Sequence, residues 1–145
     1  MTSMYCITHT VAGAAAGLLA GDPVTGFVLG LGTHAVLDAL PHHDYSDTAT
    51  GALDTLAALI IFWVIAALGG RYGVLLGAIG GAAPDLEVVR AHFNPRPYLS
   101  PNPSRRLIFP SHSGLIPHGR RWVPWGIAIQ VAIVISGLGL IISRL

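Results

Sequence analysis

An all-α bundle of about five membrane helices with Gly-rich packing is the architecture this sequence predicts, and three observations predict it. First, 52% of the 145 residues are hydrophobic and only 10% are charged, against about 25% charged in ordinary soluble domains. So little charge cannot cover a water-exposed surface, and the mean hydropathy of +0.64 agrees. Second, the apolar residues fall into five runs divided by short breaks rich in Gly, Pro and Asp, the layout of a polytopic chain. Third, glycines recur at every fourth position, as Gly13, Gly17 and Gly21 and again as Gly69, Gly73, Gly77 and Gly81. Stripes of small residues let helix backbones approach closely in lipid. The same stripes would also suit a homo-oligomer interface. The chain therefore reads as one integral membrane domain, 1–145.

The runs follow in order. The first covers 7–20, is short and Ala/Gly-rich, and is broken by Gly21-Asp22-Pro23. No positive segment precedes it, so it reads as a retained helix and not as a signal peptide. The second covers 24–40 and ends at Pro41, because proline cannot continue a helix. Asp47 and Thr48 are N-cap residue types, and they open the third run, 49–68. Gly69-Gly70-Arg71 is a tight connection to the fourth run, 72–83, which Pro84-Asp85 ends. Residues 94–121 form a Pro/Arg-rich loop, with Pro95, Pro97, Pro101, Pro103 and Pro110 opposing helix. The fifth run, 122–143, starts with Trp122 and Trp125, an interfacial anchor pair. The first and fourth runs hold about 13 apolar residues where a full span takes roughly 20, which implies tilt or partial insertion.

If all five runs cross, one face receives Arg90, Arg96, Arg105, Arg106, Arg120 and Arg121, and the other only Arg71 and Arg144. The positive-inside rule makes the arginine-rich face cytoplasmic. That gives a bacterial-type inner-membrane protein with its N-terminus in the cytoplasm. A net charge of +1 offers no footprint for nucleic acid. The single cysteine, Cys6, excludes an intrachain disulfide and a Cys-rich zinc module. A metal in this chain must be held by His, Asp and Glu.

Such residues concentrate in 33–45, where His34, Asp38, His42, His43 and Asp44 fall within eleven positions. His34 and Asp38 are four apart and share one helical face. Ionisable groups in an apolar helix are expensive and are retained for function. On the predicted topology His9, His34, Asp38, His43, Asp44, Asp54, Asp85 and His112 all lie toward the cytoplasmic end of their helices. These eight are the candidate metal ligands. His42 and His43 cannot both point inward from an extended turn, and we assign His43. His9 is a ligand or a satisfied helix-terminal histidine, and Asp44 a ligand or a cap for the third helix. Asp54, one turn inside an apolar helix, calls for a metal or another charge partner. Asp85 is a ligand or the N-cap of a short helix running to His92. The hydroxyls flanking His112 suit capping as well as coordination.

The chain resembles the membrane-bound metal-dependent hydrolases of the YdjM type. Three elements carry the resemblance: His9 at the head of the first helix, the turn Gly81-Ala82-Ala83-Pro84-Asp85-Leu86-Glu87, and Ser111-His112-Ser113. Serine stands here where the family has threonine before the histidine, and Ile108-Phe109-Pro110 replaces its H-R-G. The spacing His34-x-x-x-Asp38 is also similar to the helical H-x-x-x-D pair of zinc-dependent phospholipase C and P1-type nucleases. The resemblance implies hydrolysis at a His/Asp metal cluster.

An all-N/O donor set suits zinc, or manganese or iron with water filling the remaining positions. Eight such ligands are enough for two ions, whose chemistry fits phosphoester hydrolysis. Asp44 or Asp54 would then serve as general base. Arg105 and Arg106 would bind the phosphate of a lipid-like phosphoester drawn from the membrane. The competing expectation is a non-enzymatic metal-binding membrane protein, either an ion transporter or a metal-stabilised scaffold.

Overall fold

The computed structural model describes residues 4–44, 47–93, 107–117, 119 and 123–145. Arg105 and Arg106, like most of the proline-rich loop, lie outside the described residues. Every regular element among the described residues is an α-helix. They are α1 (Cys6–Gly17), α2 (Pro23–Ala39), α3 (Thr48–Ala67), α4 (Tyr72–Ala82), α5 (Asp85–Phe93) and α6 (Trp125–Ile142). The protein is an all-α helical bundle. Only Ala83 and Pro84 separate α4 from α5, so the fourth apolar run continues, past a proline break, into a short second helix.

Local chemistry sets the helix ends. The Asp22 carboxylate accepts from Val24 N at 2.9 Å and Thr25 N at 3.0 Å, and Pro23 supplies a residue with no N–H to satisfy at the first helical position. Asp47 likewise accepts from Thr50 N at 2.7 Å to open α3. That helix closes at Gly69, whose φ of +87° lets Gly70 N return to the Ile65 carbonyl at 2.9 Å.

The bundle is centred on α4. A Cβ on Gly13 or Gly30 would strike the Gly77 carbonyl, and one on Gly17 or Gly26 the Gly73 carbonyl. These pairings show that α4 runs antiparallel to α1 and parallel to α2, with backbone against backbone on both sides. Gly80 touches the Phe27 carbonyl and Gly81 the His9 carbonyl in the same way. Of the predicted stripes, Gly13, Gly17, Gly73, Gly77 and Gly81 form the seam. Gly21 and Gly69 meet nothing and lie beyond it. The partners on α2, Gly26 and Gly30, are four apart as well. Val11, Ala14, Ile65, Val74, Ala78 and Ile141 fill the core between α1, α3, α4 and α6.

Three stretches are long and apolar enough to cross a membrane: Thr48–Ala67, Tyr72–Ala91 and Trp125–Ile142. In the first and third only 17% of the window is buried inside the protein, against 44% in the central one. Leu56, Ile60 and Trp63 on α3, and Ile127, Val131 and Ile135 on α6, form exposed apolar stripes. Each would carry a hydrophobic cost of about 25 cal/mol per Å² in water, and none against lipid. At 12 residues α1 spans about 18 Å, well short of a ~30 Å hydrocarbon core.

The antiparallel–parallel arrangement decides where the polar residues go. The start of α1, the end of α2 and the end of α4 come to the same end of the bundle, bringing His9, His34, Asp38 and Asp85 with them.

Candidate metal centre

Asp38 is the hub. Its Oδ1 lies 3.3 Å from His9 Nε2, and its Oδ2 lies 3.1 Å from His34 Nε2 and 3.4 Å from His112 Nε2. His9, His34 and Asp38 are almost entirely buried, none more than 1% exposed. The His9 and His34 rings stack with centroids 3.8 Å apart, and His112 meets His34 edge-on. His9, His34 and Asp38 have donor atoms within 4.8 Å of one another, as do His34, Asp85 and His112. The two triads share His34, so the five residues form one continuous donor cluster.

The protonation pattern bears on what the cluster can hold. His34 Nδ1 lies 2.6 Å from the Gly81 carbonyl oxygen, which can only accept, so Nδ1 carries the proton. His112 Nδ1 faces Glu87 Oε1 at 2.8 Å and donates for the same reason. In the neutral rings both Nε2 atoms are then bare lone pairs, and they face each other at 3.4 Å. Two lone pairs and a carboxylate repel unless a proton on one of the rings or a bound cation lies among them. His9 adds to this, because neither of its buried ring nitrogens has a hydrogen-bond partner among the described residues.

The spacings of 3.1, 3.3, 3.4 and 3.4 Å mostly exceed the ~2.9 Å of an ordinary N–H···O bond. The three among His34 Nε2, His112 Nε2 and Asp38 Oδ2 are close to the edge of a tetrahedron with metal–ligand bonds of about 2.05 Å, which is roughly 3.3 Å. The residue set therefore fits a divalent cation.

A surrounding layer orients these ligands. Ser111 Oγ donates to Asp38 Oδ2 at 2.6 Å. Glu87 takes the His112 proton and also accepts from Ile108 N at 2.7 Å and Phe109 N at 3.0 Å. One carboxylate thus fixes both the loop and the imidazole it carries, the usual carboxylate–histidine support of a metal ligand. Burial depresses the His112 pKa, but the Asp38 and Glu87 carboxylates outweigh it and hold the imidazole above its ordinary value. A cation would feel the same anionic field. Gly119 N closes the end of α2 by donating to the Asp38 carbonyl at 2.6 Å.

Three of the sequence-derived candidates lie outside the cluster. Asp54 accepts from Cys6 N at 2.6 Å and Ile7 N at 3.1 Å. The N-terminus of α1 has no side-chain cap of its own, so a carboxylate from α3 satisfies it and complements its dipole. We expect Asp54→Ala to destabilise the protein by about 2 kcal/mol while leaving its metal content unchanged. A thermal melt and elemental analysis of one preparation check both.

Within the His-His pair, His42 is the fully buried member. Its Nδ1 donates to the Leu40 carbonyl at 2.7 Å and its Nε2 lies 2.7 Å from Asp44 Oδ1. His43 turns instead toward the Tyr5 ring, and its carbonyl accepts from Gln130 Nε2 of α6 at 2.9 Å. Asp44 is therefore the partner of His42 and lies outside both triads.

Burial lowers the His42 pKa, yet Asp44 and the Leu40 carbonyl more than reverse this and raise it above the ordinary value. A raised folded pKa stabilises fully below the unfolded value of ~6.5, and this contribution fades as pH rises through the folded value. Asp44→Asn should thus cost more melting temperature near pH 6 than near pH 9, roughly either side of the imidazole titration. A pH series of melts for the two proteins reads the difference.

Glu87 and Ser111 are functional candidates that sequence reading passed over. Glu87 looks solvated on a short polar helix, and only the return of the 107–113 segment buries its role. Its place in the turn that begins at Gly81 was the one available signal. No family model, curated protein or solved structure matches this chain.

Proposed function

We propose that this protein is a membrane-embedded metal-dependent hydrolase of phosphoesters in lipid-like substrates, with its His/Asp centre at the cytoplasmic face of a bacterial-type inner membrane. The observation that carries the reading is the convergence of the His9, His34 and His112 Nε2 atoms on the two oxygens of Asp38 at 3.1–3.4 Å, with Asp85 in a donor triad beside them. A bound zinc, or manganese or iron, supplies Lewis acidity and a water of lowered pKa. The protein's own residues do the rest. His9, His34 and Asp38, with His112 and Asp85 beside them, would hold the cation, Glu87 and Ser111 fix the orientation of His112 and Asp38, and Asp85 would accept the proton of an attacking water. In this arrangement Asp85, rather than Asp44 or Asp54, is the candidate base.

A second reading rests on burial. A site whose central residues are at most 1% exposed suits a closed, structural cation that ties α1, α2 and the 107–113 segment together. An exchangeable open position distinguishes catalysis from that scaffold role.

The deciding experiment is elemental analysis of detergent-purified wild type beside His34→Ala/Asp38→Ala. We expect one to two equivalents of divalent metal in the wild type and none in the variant, followed by hydrolysis in a screen of phosphate esters and phospholipids. Metal-free wild type after reloading would end the metal reading. Metal without turnover would leave the scaffold.

A further inference from the structure

A groove of about 650 Å³ lies between α3 and the α4–α5 pair, with the start of α1 at its base. Its volume is within the ~300–1,000 Å³ of small-molecule sites. Both long walls belong largely to stretches apolar enough to cross a membrane, so a bilayer crossed by those stretches would flank the groove with hydrocarbon. Its lining is graded along α3. Asp47, Thr48 and Thr55 line the N-terminal part, while Leu56, Leu59 and Phe62 line the rest. Across from them Ala78 and Ile79 continue the apolar part, and Cys6, Thr10 and Asp85 form the polar wall. From Thr48 to Phe62 the groove follows about 21 Å of helix at 1.5 Å per residue, the reach of an extended long acyl chain.

Asp85 belongs at once to this groove and to the His34–Asp85–His112 triad. A slot that is apolar along most of its length, α5 residues Leu86, Val89 and Phe93 included, but gathers its few polar side chains at one end beside a candidate cation-binding cluster, is complementary to one class of molecule: an amphiphile with a hydrocarbon chain and an anionic head. We propose that the groove seats one acyl chain of a membrane phospholipid, tail toward Leu59 and Phe62, headgroup toward Asp85. This rests on the hydrolase reading for the fate of the headgroup. The seating of the tail depends only on the groove.

The test uses full-length protein in phosphatidylcholine nanodiscs doped with phosphatidylglycerol that carries a diazirine either at the acyl terminus or at the glycerol. After illumination, adducts are mapped by mass spectrometry. The tail probe should mark Leu59, Phe62 and Ile79, and the glycerol probe Cys6 and Thr10. Leu59 is 52% exposed, so Leu59→Trp obstructs the groove without repacking the core. That variant should lose the tail adducts at Phe62 and Ile79 yet keep those on the outward stripe at Val131 and Ile135. Groove labelling no denser than at Trp63 and Ile135, or labelling indifferent to probe position, would overturn the proposal, and the wild type alone decides it if the variant misfolds. Elemental analysis of the same wild-type preparation separates the two ideas, because a wild type that binds no metal yet shows the groove pattern sinks the hydrolase reading and keeps the groove, whereas metal without the groove pattern does the reverse.

Discussion

Gly77→Ala should leave little folded protein, although it adds a single methyl group. The new Cβ would enter the Gly13 carbonyl and come within 3.0 Å of Gly17 Cα. Both obstacles are backbone, so no side chain can rotate away. Relief requires α1 to withdraw from α4, and α1 is the helix that carries His9 and the core residues Val11 and Ala14. Overpacking in an adaptable core costs about 1–3 kcal/mol, and a rigid backbone seam belongs at or above that limit, out of a total of roughly 5–15 kcal/mol. The contrast lies in glycines with open space. A Cβ on Gly32 or Gly139 meets nothing within 4 Å, so alanine there relieves the helix penalty of glycine, worth about 0.5–1 kcal/mol. Size-exclusion profiles and melts in one detergent compare the three variants. If Gly77→Ala melts with the wild type, the three-helix seam is looser than this structure has it.

That seam was partly legible in sequence, and the reason it was only partly so is instructive. A four-residue glycine period identifies a face, but two faces must match before a contact exists, and the partner stripe Gly26–Gly30 has only two members. The same limit governs the site. The spacing of His34 and Asp38, with the alternating direction of successive helices, was enough to gather His9, Asp85 and His112 at one end. Direction after a break was not available. Past Pro41 the chain turns so that His42 faces Asp44 and His43 faces Tyr5, and no local rule distinguishes adjacent histidines. Asp54 in an apolar helix calls in sequence for a metal or charge partner, whereas in the structure two backbone N–H groups on another helix hydrogen-bond to it. Those groups are visible only once α3 lies beside the uncapped start of α1. Glu87 shows the converse, a residue ordinary in its own helix and specific only through a segment 20 residues further on.

Chelation is the second large effect expected, and it separates a cation site from a hydrogen-bonded His/Asp network. A ligand that binds only the folded state stabilises it by about 4 kcal/mol when present at a thousand times its Kd. Stripping the metal from wild type should therefore lower the melting temperature markedly, and readdition should restore it. His34→Ala/Asp38→Ala, lacking the hub, should melt low and ignore both treatments. Glu87→Gln supplies the graded case. It keeps every ligand and only weakens the acceptor that fixes His112 Nδ1–H, and loss of such a partner typically lowers metal affinity 10–100-fold, about 1.4–2.8 kcal/mol. Its melts should match the wild type at saturating metal and separate from it as free metal is reduced. A network without a cation predicts the opposite order. Chelators would then leave the wild type unmoved, and Glu87→Gln would be destabilised equally at every metal concentration, because its cost would come from the lost hydrogen bonds of Ile108, Phe109 and His112 alone. The metal dependence of the Glu87→Gln defect, more than its size, is what tells the two apart.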